Sequence, residues 1–414
     1  MVKFRQFRAV RPAVEYASRV AALPYDVMTS EEARAMAGGE PLSFLHIDRG
    51  EIDLPEGTDP YSPEVYAKAR ENLERRISEG VFIQDEKPHF YVYRLTMDGR
   101  AQTGLVGCAS IDDYISGVIK KHELTRADKE EDRVRHVDTL DANTGPIFLA
   151  SRKDEAFSAL LAKAVRGEPV YDFAAEDGVR HEVWILDDEA SEAAEAFFRA
   201  ADALYIADGH HRCASAARVG ELRRRQRPGW TGDEEFGFFL AVVFPEDQLD
   251  ILDYNRAVAD LNGLTEEEFL AGLSRKFEVE RFAGDGPAKP ECRHTFGMYL
   301  GGKWYLLTAR PGVADENDPV ARLDVSVLQD NALAPILGIG DPRSDKRIDF
   351  IGGIRGLGEL ERRVDADMKV AFAMYPTTMR ELFDIADAGL IMPPKSTWFE
   401  PKLRSGLFIH KLGD

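Results

Sequence analysis

The sequence predicts a mixed α/β fold, and three observations carry that reading. A short apolar strand, ALYIA at 203–207, runs straight into Asp208-Gly209 and a helix. Two stretches alternate around hairpin turns, 88–96 with 103–109 about Asp98-Gly99, and 294–300 with 303–308 about Gly301-Gly302. From 348 onward, strand and helix patterns alternate, with strands at 348–351 and 368–374, a glycine turn and a helix between them, a helix from about Thr378, and Leu390-Ile391-Met392 as a further apolar strand.

The remaining elements follow in order. Residues 64–79 repeat apolar positions at helical spacing and stop at Gly80. Residues 120–138 form a dense block of both charge signs, and 189–201 read as a helix. Thr265 and Glu268 have capping-box spacing, so a new helix starts there. Residues 284–290 and 311–319, rich in Gly, Pro and Asp, read as loops. A boundary is placed after the apolar run ending at Phe244, which divides the chain into 1–245 and a C-terminal α/β domain, 246–414.

The 414 residues carry 53 Lys+Arg against 73 Asp+Glu, a net charge of −20, with 44% hydrophobic and 10% aromatic residues. Such a chain has ample material for a core. Its acidity argues against nucleic-acid binding, which rests on basic residues neutralising phosphates. The longest apolar run, 236–244, is far short of the roughly 20 residues of a membrane span. The three cysteines, Cys108, Cys213 and Cys292, are widely spaced and suggest neither a disulfide framework nor a zinc site. The N-terminal stretch is interrupted by Glu15 and Arg19, so no signal peptide and a cytoplasmic location are expected. Oligomeric state is left open.

The richest chemistry lies at 203–220, ALYIADGHHRCASAARVG. The first N–H groups of a helix lack internal partners and sit at the positive end of its dipole, a ready site for phosphate. Gly209 permits a tight turn, Arg212 supplies a bidentate fork, and His210 and His211 add donors or a proton acceptor near neutral pH. Asp208 also suits a plain N-cap, and adjacent histidines also suit a solvated surface. On a helix the two histidines point apart, which disfavours one shared metal ion. Cys213, Ala216, Ala217 and Gly220 form a small-residue stripe for close packing on a sheet.

Lys120-Lys121-His122-Glu123-Leu124-Thr125 could hold phosphate and accept a proton, or could simply be a charged face; His136 and Asp138 share that ambiguity. Met392 to Phe399 includes Lys395-Ser396-Thr397, an echo of a phosphate loop without its spaced glycines, and equally a turn. Residues 352–358, GGIRGLG, miss the dinucleotide register, and the arginines at 223–227 suit a helix C-terminus. Neither G-x-S-x-G nor H-E-x-x-H occurs.

Five segments, LPYDVM (23–28), PLSFLHIDRGEIDLP (41–55), KKHELT (120–125), YIADGHHR (205–212) and MPPKSTWFEPKLRSGLFIH (392–410), together resemble the DUF1015 family of uncharacterised bacterial and archaeal proteins. The D-G-H-H-R segment is also similar to the phosphate-contacting box of the ParB/sulfiredoxin-like superfamily, which includes free-serine kinases. That likeness implies a ParB/sulfiredoxin-like nucleotide-binding core, with Asp208, Gly209, His210, His211 and Arg212 around the phosphates. Sulfiredoxin has a cysteine where this chain has His210, and ParB proteins carry a DNA-binding module that a chain this acidic does not suit.

The resemblance therefore implies a small-molecule kinase of the free-serine type, acting on a nucleotide and a small hydroxyl-bearing substrate, with no nucleic-acid or membrane partner. It makes Glu123 and Asp208 the candidate proton acceptors and His210 a further catalytic candidate. Gly209, His211, Arg212, Lys121, His122 and Lys395 are the expected phosphate contacts, with Arg256 behind them. ATP or ADP with Mg²⁺ is the expected cofactor set, and Asp208 the expected Mg²⁺ ligand. A nucleotide or phosphoester hydrolase on the same cradle, or a nucleotide sensor without turnover, are the alternatives.

Overall fold

The computed structural model describes residues 1–413. The chain divides into two compact units, Met1–Leu249 with Pro401–Asp414, and Asp250–Glu400. A single cut near residue 245 does not describe this division, because the last segment of the chain returns to the first unit.

The first unit is built on a mixed sheet. Its strands lie in the order Ile119–Lys120, Leu204–Asp208, Ile147–Ser151, Phe238–Pro245, Arg100–Ser110, Tyr91–Met97, Arg180–Ile185 and Tyr171–Ala174, and Phe4–Arg5 also pairs with Arg100–Ser110. Leu204–Asp208 runs parallel to Ile119–Lys120 and antiparallel to Ile147–Ser151. Phe238–Pro245, buried along its whole length, is the expected apolar run. The expected hairpin joins Tyr91–Met97 to Arg100–Ser110, with positive φ at both Asp98 and Gly99, the geometry that matches strand twist across a two-residue turn. Phe157, Leu161, Ala194, Phe198, Cys213, Ala216 and Ala217 from three helices pack with Leu105, Leu149, Ile206 and Val243 of the sheet in one apolar core.

The stripe predicted on the helix His210–Gln226 does what small residues allow. Cys213, Ala216, Ala217 and Gly220 are buried. A Cβ at Gly220 would lie 2.4 Å from the Phe236 carbonyl oxygen and 2.5 Å from Ile111 Cδ1. Alanine there would gain about 1 kcal/mol of helix propensity, but overpacking against backbone costs about 1–3 kcal/mol, so glycine holds the position. At the far end of this helix Arg223 pairs with Asp138 and Asp141, and Arg224 with Asp112, as expected for cations at a helix C-terminus.

A second apolar cluster joins the N-terminal helices to the returning tail through Val10, Phe44, Leu73, Leu140 and Ile409. The tail is tied in by backbone bonds between Ser405 and Ala22 and by pairing of His410–Lys411 with Ala142–Asn143.

The second unit has its own antiparallel sheet, ordered Phe277–Arg281, Lys303–Ala309, Thr295–Leu300, Val370–Ala373, Tyr254–Val258 and Ile348–Gly352. The predicted hairpin about Gly301-Gly302 forms, and Thr265 and Glu268 make the predicted capping box. Leu390-Ile391-Met392 is not a strand: the segment turns out of the helix Met379–Asp387, with Leu390 exposed and Met392 buried. Without a neighbour to pair with, three apolar residues do not make a strand.

Candidate anion-binding corner

Parallel pairing builds the site. Leu204 pairs with Ile119 and Tyr205 with Lys120. Just beyond that pair the chain brings His122 and Glu123 to the start of the helix that follows Leu204–Asp208, His122 meeting the His210 ring and Glu123 lying near its Nδ1. Carboxyl ends of such strands are where α/β sheets bind ligands. Leu204–Asp208 stops there, Gly209 turns with φ 91° as the N-cap, and the helix His210–Gln226 begins. A side chain at φ 91° would be strained, so the turn requires glycine.

Asp208 holds the turn. One carboxylate oxygen accepts the Gly209 N–H at 2.7 Å, and the other lies 2.9 Å from Lys402 Nζ. Burial pushes its carboxyl up, but Lys402 and Arg212 outweigh that and hold it well below the usual carboxylate range. Both carboxylate oxygens of Asp208, the expected Mg²⁺ ligand, are engaged in this way, one by the Gly209 N–H and one by the Lys402 ammonium. Among the described residues no group of three or more His, Cys, Asp or Glu is placed to hold a metal ion.

The two histidines of the helix point apart, as expected. His210 is buried and meets His122 edge-to-face, with ring centroids 4.5 Å apart and planes at 88°. Its Nδ1 is 3.9 Å from Glu123 Oε2, and Glu123 is 43% exposed. His210 Nε2 and both ring nitrogens of His122 are buried without a well-formed hydrogen bond. Burial keeps both rings neutral, pulling His210 well below its usual value and His122 to about 4 against the opposing influence of Asp208. His211 faces the other way, accepting the Arg126 N–H at Nε2, 3.0 Å away. Lys121 is exposed, with Nζ 5.8 Å from the Tyr114 ring centre.

Arg212 turns back under the corner. Its Nη1 donates to the Pro146 carbonyl at 2.7 Å, Nη2 is 4.0 Å from Asp26, and Nε has no partner. The guanidinium packs against the Gly209 turn. Beside it opens a small cleft lined by Tyr25, Asp48, Arg133, His136, Thr144 and Ser405 among others. The charged block at 120–138 is therefore not one solvated face. Its helix, Ala127–Leu140, buries Asp132, Arg133 and His136, while Asp138 stays exposed in its pair with Arg223. Arg133 stacks over the Tyr25 ring at 3.9 Å and pairs with Asp132. His136 bonds the Ile47 carbonyl through Nε2, and Thr144 donates to Asp48 at 2.9 Å.

Lys395 and Arg256 lie in the second unit. Lys395 has φ 59°, Arg256 donates to its carbonyl at 3.0 Å, and the Arg256 side chain is buried over Phe350. Ser396 gives its hydroxyl to the Pro393 carbonyl, and the Ser396 carbonyl in turn accepts from Thr377. These bonds make the segment a turn, the second of the two readings that the sequence offered for Lys395-Ser396-Thr397. Sequence reasoning missed Lys402, Asp48, Arg133, Tyr25 and Ser405 as neighbours of Arg212 and Asp208. The available signal was that four of them occur in the short segments LPYDVM, PLSFLHIDRG and EPKLRSG, while Arg133 lies in the charged block at 120–138. Cys213, one position after Arg212, is fully buried and its thiol is pushed up by that burial, which disfavours thiolate chemistry here.

The buried neutral imidazoles set the acid response. His122 and His136 both sit near 4 in the folded chain against 6.5 as the usual value, chiefly through burial. Between those values the unfolded chain binds the protons that the folded one refuses, so stability is lost as the pH falls from about 6.5 to about 4. Denaturant unfolding at pH 7, 5.5 and 4 checks this, and His122→Leu is expected to flatten the slope.

Fold and site together describe a mixed α/β protein with a candidate anion site at a strand-to-helix junction. The chain belongs to the DUF1015 family, described as a protein of unknown function, whose match spans residues 4–326. No curated protein matches it. Among solved structures, a free serine kinase variant in complex with AMP aligns at 14% identity and TM-score 0.36, over 72% of this chain and 90% of its own. SbnI with a C-terminal truncation, from Staphylococcus aureus, aligns at 12% and 0.38, over 71% and 82%. A conserved hypothetical protein from Pyrococcus furiosus aligns at 15% and 0.34, over 73% and 93%. No helix among the described residues is long and apolar enough to cross a membrane.

Proposed function

We propose that the protein is a small-molecule kinase of the free-serine type, moving the terminal phosphoryl group of a nucleotide to the hydroxyl of a small acceptor. One observation carries the reading: the parallel register that sets Glu123 at the positive end of the helix bearing Arg212. Phosphoryl transfer asks for positioning and charge neutralisation. The helix-start amides that follow Gly209 and the Arg212 guanidinium hold phosphate oxygens, with Lys121 at the rim. His122 and His210, neutral and buried, form a floor that adds no charge of its own. Glu123, partly open to solvent, takes the proton as the acceptor oxygen attacks phosphorus and the bond to the leaving nucleotide breaks. Asp208 shapes the turn. ATP and ADP are both eligible donors, and no step is assigned to a metal.

Product analysis tests the proposal. Purified protein is incubated with ATP or ADP, with and without a panel of small hydroxylated acceptors, and phosphate-bearing products are followed by ³¹P NMR. A phosphorylated acceptor formed only when acceptor is supplied supports the kinase. Phosphate released without acceptor supports a hydrolase on the same cradle. Nucleotide binding without either product leaves a sensor.

A further inference from the structure

The corner contains an electrostatic conflict, and the returning tail resolves it. Asp208 fixes the left-handed Gly209 turn by accepting its N–H. That same carboxylate puts a negative charge at the start of the helix, where it offsets the positive dipole end and repels an incoming anion. Lys402, 194 positions further along the chain, brings its ammonium to 2.9 Å from the second carboxylate oxygen, with only 12% of its side chain exposed. Arg212 lies near enough to serve as the counter-ion instead. Yet its Nη1 is turned to Pro146 and its Nε is without a partner.

We propose that Lys402 is a positioning residue that cancels the Asp208 charge, leaving Arg212 and the helix N-terminus free to attract a nucleotide phosphate. The inference rests on the nucleotide reading above. The groups facing Asp208 are Lys402 from the tail, Arg212 and His210 from the helix, and His122 from the segment after Ile119–Lys120. Both histidines are neutral, so Lys402 and Arg212 supply the balancing charge. Removing Lys402 draws Arg212 toward Asp208 and away from the ligand.

The test is ADP affinity by calorimetry on the full chain, at low and at high salt. Lys402→Met is expected to bind ADP at least tenfold more weakly and to lose most of the salt dependence seen in the wild type, while Lys402→Arg stays near wild type. Asp208→Asn keeps an oxygen for the Gly209 N–H and removes the charge, so it is expected to bind ADP as tightly as the wild type or more tightly. The double variant Asp208→Asn with Lys402→Met is expected to recover the affinity lost in Lys402→Met. Weak binding by Asp208→Asn would overturn the inference even if Lys402→Met fails to fold. A Lys402→Met variant that folds and binds ADP with unchanged affinity and salt slope would also overturn it. A double variant as weak as Lys402→Met would instead make Lys402 a direct ligand and overturn the positioning role. Absence of ADP binding by the wild type would remove the nucleotide reading itself, a different failure.

Discussion

Glu123→Gln is expected to abolish turnover while leaving nucleotide affinity unchanged. The substitution keeps the shape of the side chain and removes its ability to take a proton. A lost general base typically costs about 10²–10⁴ in kcat. His210 Nδ1 is 3.9 Å away, too long for a hydrogen bond, so the local fold does not depend on a tight contact between the two. The Glu123 side chain is also partly exposed to solvent. The measurement is kcat with the acceptor identified by product analysis, paired with ADP affinity on the same preparation. Undiminished kcat would remove Glu123 from the chemistry and leave the anion corner standing.

Arg212→Ala is expected to do the opposite, weakening nucleotide binding at the first step. A hydrogen bond to a charged group contributes about 1.5–3 kcal/mol, so losing one such contact weakens affinity by about tenfold to a hundredfold. Arg212→Lys keeps the charge but not the planar fork, and is expected to fall between. Arg212 also bonds the Pro146 carbonyl, so a melting curve must accompany the affinity. A folded Arg212→Ala protein with wild-type ADP affinity would dismantle the cradle. The two variants thus separate binding from chemistry, and Lys402→Met asks how the binding end is kept electrically attractive.

Local elements were readable because their causes are local. The hairpin at Asp98-Gly99, the capping box at Thr265 and Glu268, and the strand–glycine–helix junction at 204–212 each follow from a few neighbouring residues. The small-residue stripe through Gly220 was readable for the same reason, since one helical period is enough to display it. Leu390 to Met392 misled because an apolar triplet says nothing about whether a neighbouring strand exists. The run Lys395-Ser396-Thr397 was ambiguous for a similar reason: it looks alike whether its hydroxyls face a phosphate or, as Ser396 does, a carbonyl three residues back.

The sequence by itself determined the mixed α/β class, the family, and the corner residues Asp208 to Arg212, because their conformation is dictated within one turn of backbone. Tertiary structure alone decided which side chains meet there. Parallel pairing of Ile119–Lys120 with Leu204–Asp208 brought Glu123 and His122 to the helix start, and the returning tail brought Lys402. Those meetings join positions tens to hundreds of residues apart, whose closure is driven by burying apolar surface from the whole unit. No short window of sequence contains that information.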